Sequence, residues 1–201
     1  MSEVKYTKNE LRSQQEHLNR FQKYLPTLQL KKSVLQVEVF EAEAACKKRE
    51  EEWQKAYEEI KEISHLLAED LGLPPHQLVQ IKEIEKKYEN IAGVEVPVEV
   101  AVHFSCPPLF PIQNPPWVKA LSLQLQKLLI KREEWKRERE KLSLLKEALH
   151  SVSILVNLFE KRLIPRAIDC IGKIKVFFGD QELTAIARAK VAKRKIVQKK
   201  E

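Results

Sequence analysis

The sequence predicts an all-α fold: a long antiparallel two-helix coiled coil whose Pro-rich connector carries a short β segment or hairpin. Three observations predict it. Stepping by seven from Leu121 gives Leu128, Trp135, Leu142, Leu149, Val156, Leu163, Cys170, Phe177, Thr184 and Val191, apolar at every step except Thr184. A seven-residue repeat held that long is a coiled-coil seam. A second such repeat runs through the first part of the chain, and eight of the ten prolines fall between Pro74 and Pro116, separating the two. With 4 glycines and 32% charged residues in 201, the composition also favours long helices over sheets.

The first helix is expected from Thr7, because Thr7-Lys8-Asn9-Glu10 fits the capping box, in which Thr caps a backbone N–H and the Glu three residues on reaches back. From Leu11 the sevens give Leu18, Leu25, Lys32, Val39, Cys46, Trp53, Ile60 and Leu67. The companion series is Gln14, Phe21, Leu28, Leu35, Ala42, Arg49, Ala56 and Ile63, so only Lys32, Gln14 and Arg49 break the pattern. The helix should continue to Leu71, roughly 65 residues spanning about 97 Å. Pro26 interrupts it once, and the unbroken register on both sides predicts a kink there and not a stop. Gly72-Leu73-Pro74-Pro75 supplies the glycine and proline that end it.

The division that follows is a shaft of residues 7–71 and 117–200, and a connector of residues 72–116. Within the connector, His76 to Asn90 is expected to add a short helix. Val94 to Phe104 then places Val or Phe at every even position, the period of a half-buried strand. Pro97 cannot donate to a ladder, which puts that strand at an edge or in a small hairpin.

Pro115-Pro116-Trp117 opens the second long helix, proline being suited to a first turn. Its companion stripe is apolar at Leu145, Val152 and Phe159 but polar at Gln124, Lys131 and Glu138. The seam is therefore narrow near the connector, as if another chain covered it. Pro165, Gly172 and Gly179 are weak points in this helix. Folding back antiparallel sets Trp53 opposite Trp135 and Pro26 near the level of Pro165, so both helices can bend at one place. Charge agrees: Glu38 to Asp70 holds 11 acids against 5 bases, while Lys119 to Lys141 holds 8 bases against 4 acids.

The same register leaves the last dozen or so residues without a partner. Arg188, Lys190, Lys193, Arg194, Lys195, Lys199 and Lys200 lie there against Glu201, beside an apolar stripe of Leu183, Ile186, Ala187 and Val191. A lone amphipathic helix of this kind is marginal in water. It needs a socket lined with carbonyls or acids.

The net charge of +7 points the same way, to nucleic acid, an anionic membrane face or a negatively charged protein socket. The basic end has no aromatic side chain after Phe178. It therefore lacks both the stacking platform of a single-strand binder and the Trp or Phe anchors of a membrane-surface helix. No signal peptide is legible, and the uncharged run Ser151 to Phe159 is too short to cross a bilayer. Cys46, Cys106 and Cys170 read as free thiols in a reducing compartment, and a cytoplasmic location is expected.

No catalytic, cofactor or metal site is expected on this chain. Four scattered glycines build no phosphate loop, and no nucleophile elbow or His-Glu zinc motif appears. His17, His65, His76, His103 and His150 are isolated from one another and from cysteine. Glu50-Glu51-Glu52 reads as a solvated helix face. From the residues alone, a coiled-coil hairpin that binds nucleic acid or acts as a chaperone-like scaffold stays open as an alternative.

Leu25-Pro26-Thr27-Leu28-Gln29-Leu30-Lys31-Lys32-Ser33-Val34-Leu35-Gln36 resembles the N-terminal signature of the D subunit of V-type (archaeal-type) ATP synthases, in its bacterial branch. Val156-Asn157-Leu158-Phe159-Glu160 with Leu163-Ile164-Pro165-Arg166 resembles that family's C-terminal signature, and Ala92-Gly93-Val94-Glu95-Val96-Pro97 its short central β segment. The likeness runs from about Val4 to Lys200. It implies a non-catalytic central-stalk rotor subunit that transmits torque between a membrane ion-driven ring and a catalytic hexamer. The implied partners are that hexamer, other central-stalk subunits and, indirectly, the ring, without nucleic acid and without direct membrane insertion. The implied place is peripheral to the cytoplasmic membrane. Arg188, Lys190, Lys193 and Arg194 become candidate contacts with the catalytic head, and Pro26 and Pro165 the candidate shaft bend. Ala187-Arg188-Ala189-Lys190 departs from the family pattern in having fewer bulky and acidic residues.

Overall fold

The computed structural model describes residues 5–63, 78–105 and 116–198. They form α1 (Lys8–Ile63), a hairpin of β1 (Gln80–Ile91) and β2 (Val94–Ser105), α2 (Pro116–Leu158), one π-helical turn (Phe159–Leu163) and α3 (Ile164–Gln198). The stop at Gly72 to Pro75, the expected helix end at Leu71, and Cys106 lie outside the described residues. The chain divides into two compact units, one of Lys31–Ser151 and one of Met1–Leu30 with Val152–Glu201. Both α1 and α2 contribute to each.

In the Lys31–Ser151 unit, every buried residue of α1 lies on the two predicted stripes: Leu35, Val39, Ala42, Ala56 and Ile60. Opposite them the helices run antiparallel, and Trp53 stacks on Trp135 with ring centroids 5.2 Å apart and planes 6° from parallel. Leu145 is fully buried on α2, worth about 1.5–3 kcal/mol relative to exposure. In the other unit the stripes continue as half-buried Leu11, Leu18, Phe21, Leu25 and Leu28. Half of the capping box forms there. The Glu10 N–H donates to Thr7 Oγ1 at 3.2 Å; the Glu10 carboxylate accepts from Gln14 Nε2 at 2.8 Å and does not reach back, because the Thr7 N–H bonds Lys5 O.

The expected short helix over His76 to Asn90 is replaced, across its described part, by β1. Ile81, Ile84, Tyr88 and Ile91 have helical spacing, which is what misleads. In the hairpin a bulge at Lys82 lets Ile81 and Ile84 face Phe104 and Val102 on one side of the sheet. A Val-rich strand also needs a partner for its backbone groups, and the segment just before it provides one. On β2 the even positions from Val98 onward are half-buried and the odd ones exposed. The two-residue turn has positive φ at Ala92 (50°) and Gly93 (80°), as a type I′ hairpin requires, and the Gly93 N–H donates to Asn90 Oδ1 at 2.8 Å. Ala is a poor residue at that φ. Ala92→Asn should stabilise the protein by about 0.5–1 kcal/mol, read as a raised midpoint in chemical unfolding.

A second bulge at Val98, next to Pro97, leaves the Val98 carbonyl outside the ladder, where it accepts from Arg137 of α2. Lys86 of β1 reaches Glu140 of α2 at 2.6 Å. The narrow part of the α2 seam is thus covered, at least here, by the chain's own hairpin.

By length and composition the helical run Trp117–Ile196 contains a stretch apolar enough to span a bilayer. Its Leu145, Val152 and Val156 are buried in the seams of the two units.

Candidate functional site

Two features of the Met1–Leu30 with Val152–Glu201 unit carry the predicted site residues. The first is the turn around the prolines. Pro26 sits exposed inside α1, which continues through it. Pro165 sits exposed at the start of α3, directly after the π-turn, in which the Ile164 N–H donates to Phe159 O. A proline has no N–H for the regular bond to Lys161 O, and its ring would strike that carbonyl; the widened turn relieves the clash. The α1 segment that contains Pro26 packs across this turn. Phe21 meets Phe159 edge to face with centroids 5.3 Å apart, and Gln29 Nε2 donates to Glu160 Oε1 at 2.5 Å. The two proline levels therefore coincide.

The π-turn also moves the seam. Up to it the buried residues are Val152 and Val156, on the predicted frame. After it they are Ala167, Ile171 and Ile174, one residue later than the frame through Leu163, Cys170 and Phe177. This corrects the uninterrupted repeat. Continuing the old frame would have set Arg166 and Lys173 against α1; the extra residue in the turn brings Ala167 and Ile174 there instead. Phe177 ends at the margin, 36% exposed, its ring 4.9 Å from that of Tyr6.

The second feature is the helix end. On the slipped frame the seam positions beyond the half-buried Phe178 are Gln181, Ala185, Arg188 and Ala192, too small or polar to hold a partner. From Asp180 to Gln198 every residue whose side chain is described is exposed, a longer bare stretch than the last dozen residues expected. Leu183, Ile186, Val191 and Ile196 are each more than half exposed. Arg188, Lys190, Lys193 and Arg194 all lie here; Lys190, Lys193 and Arg194 share one face with Gln198, and Arg188 lies on another face with Lys195. Among the described residues none of the four has an ion-pair partner.

In the Lys31–Ser151 unit several charges are paired locally. Lys146, just beyond the basic stretch Lys119 to Lys141, pairs with Glu43 at 2.7 Å, and within the opposed stretches Arg49 pairs with Glu134 at 3.1 Å in the reverse sense. Glu133, 9% exposed at its side chain, takes Arg132 at 3.0 Å and Lys136 at 2.8 Å. Burial works to raise its carboxyl, yet the hydrogen bonds from Lys136 and Arg132 outweigh that and hold it below the usual range. A depressed pKa gives stability that is present above the unfolded carboxylate value and lost as pH falls through the folded one. Glu133→Gln should therefore cost about 1–2 kcal/mol near neutrality, and thermal melts of variant and parent should converge as the pH drops below the carboxylate range. Cys46 and Cys170 are free thiols, and burial pushes Cys46 up, towards the unreactive protonated form. Among the described residues no three His, Cys, Asp or Glu side chains gather as a metal site.

Residues 10–194 match the family model for the D subunit of ATP synthase. The V-type ATP synthase D subunit of Chlamydia felis is 38% identical over 205 residues, covering 100% of this chain and 97% of that protein. Its counterpart in Chlamydia pneumoniae is 37% identical over 204 residues, covering 98% and 95%. That of Chlamydia trachomatis serovar L2 is 36% identical over 205 residues, covering 100% and 99%. Helical hairpin, central β segment and near-complete end-to-end similarity agree, and the chain belongs to the ATP synthase D-subunit family.

Proposed function

We propose that this chain is the central-stalk shaft of a V-type rotary ATP synthase, carrying torque between an ion-driven membrane ring and a catalytic hexamer during ATP synthesis or hydrolysis. Family membership supports a place as a rotary ATPase subunit. The observation that carries the finer reading is the bare, basic, apolar-striped end of α3 from Asp180 to Gln198. An isolated helix of this composition gains stability only from a surrounding socket, and a ring of catalytic subunits supplies one. Arg188, Lys190, Lys193 and Arg194 are its contacts with that ring.

Residues 7–71 and 117–200 act as the shaft, and residues 72–116 as the membrane-facing connector gripped by other central-stalk subunits, with the ring linked through them. The chain itself stays peripheral on the cytoplasmic side, inserts no segment into the membrane and binds no nucleic acid. Nucleotide chemistry belongs to the hexamer; a bent, off-axis shaft presses differently on each of its members and so couples rotation to binding and release. Pro26 and Pro165 make the bend. Pro26→Ala with Pro165→Ala should raise or preserve helicity by circular dichroism while lowering ATP synthesis coupled to ion flow by about tenfold. Unchanged synthesis would remove the bend from the mechanism.

A tagged pull-down from the native source at moderate salt tests the whole reading. The expected eluate contains the catalytic head and stalk subunits and hydrolyses ATP. Polynucleotide with a steep salt dependence, and no ATPase, would replace the rotor by a nucleic-acid-binding hairpin.

A further inference from the structure

The π-turn lies between two seam frames that the sequence of α3 satisfies in turn. The frame in use buries Ala167, Ile171 and Ile174. The frame one residue earlier runs through Leu163, Cys170 and Phe177, apolar at each step; Leu163 and Cys170 are already half-buried, and Phe177 already touches Tyr6. A single residue is about 100° of helix rotation. If the surplus residue held in Phe159–Leu163 were taken up into regular α-helix, α3 would turn by that angle about its own axis and present the earlier frame to α1.

The features that separate the frames are few and opposed. Pro165 favours the widened turn, and Ile171 and Ile174, with the half-buried Ile164 and Phe178, favour the frame in use. Regular hydrogen bonding through Phe159 to Leu163 and burial of Leu163 and Phe177 favour the other. Its cost falls on Arg166 and Lys173, which would stand at companion seam positions, and long basic side chains tolerate such positions by running their stems along apolar surface and their charge out to water.

We propose that the Phe159–Leu163 turn is a torsional switch: α3 occupies two azimuths about 100° apart, interconverting by gain or loss of this π-turn, so that the exposed end from Asp180 to Gln198 swings as one body. The device is a property of the chain and stands whether or not the rotor reading does.

The full chain tests it, with Cys46, Cys106 and Cys170 replaced by Ala and nitroxide labels placed at Asn19 of α1 and Val176 of α3, both exposed. Double electron–electron resonance distances are read in three backgrounds. In the parent the longer-lived π-turn azimuth gives the major distance. Arg166→Leu with Lys173→Leu, which makes the earlier frame apolar at its companion positions, should raise the ratio of the second distance to the first by about tenfold or more. Deletion of Lys161 removes the surplus residue, fixes Ile171 and Ile174 in the seam and should leave the first distance alone. A second distance that grows in the double variant and disappears in the deletion supports the switch. A single unchanged distance in all three, or a second distance that survives the deletion, overturns it.

Discussion

Removing Arg188 to Glu201 should cut the ATPase activity recovered with the tagged chain by about tenfold or more, since tenfold needs only about 1.4 kcal/mol of lost affinity. The deleted stretch holds five described cations without ion-pair partners among the described residues, Lys195 included, and the exposed Val191 and Ile196. Desolvating those apolar groups in a socket and pairing even part of the charge exceeds that threshold. The thermal midpoint of the isolated chain should stay within about 2 °C of the parent, because nothing described on that segment is buried. A truncated chain that unfolds would place the segment in the core and refute the assignment of a free end.

Ile174→Ala should destabilise the protein by about 2–4 kcal/mol, and Cys170→Ala by less than about 1 kcal/mol. Ile174 is 0% exposed and Cys170 only half-buried, so the cavity term falls on the first. Urea unfolding of the two variants compares them directly. An uninterrupted repeat demands the reverse order, with Cys170 on the seam and Ile174 off it. The pair therefore reads out the one-residue slip without any label or partner.

The two long helices were legible because burial follows a seven-residue rhythm wherever α1 is packed: Leu35, Val39, Ala42, Ala56 and Ile60 are the stripe residues themselves. Trp53 opposite Trp135 followed from antiparallel folding with the helix ends at Leu71 and Trp117 set level. β2 was legible from strict alternation and from Pro97. β1 was not, since a bulge at Lys82 gives a strand the spacing of a helix, and alternation cannot be seen through an inserted residue. The slip at Phe159–Leu163 escaped for a related reason: Leu163, Cys170 and Phe177 are apolar and keep the old rhythm alive on paper. Arg166 and Lys173 were the available signal, two charges where a seam should be, each directly followed or preceded by an uncharged alternative. Of the candidate site, the charge and position of the basic end were readable, whereas its length depended on where the slipped frame runs out of bulk. Net charge along the helices was a coarser guide, as Arg49 with Glu134 shows.

The parallel indole pair of Trp53 and Trp135, with Arg139 5.5 Å from the Trp135 ring centroid, gives the Lys31–Ser151 unit an optical signature of its own alignment. Two such chromophores at 5.2 Å couple their excited states, so the paired helices should show a split dichroism band at the strong far-ultraviolet indole transition that neither tryptophan shows alone. Sliding one helix past the other by a single turn would move the rings about 5.4 Å and extinguish the splitting. The native protein thus contains an intrinsic gauge of how its two helices are aligned, readable in solution without modification.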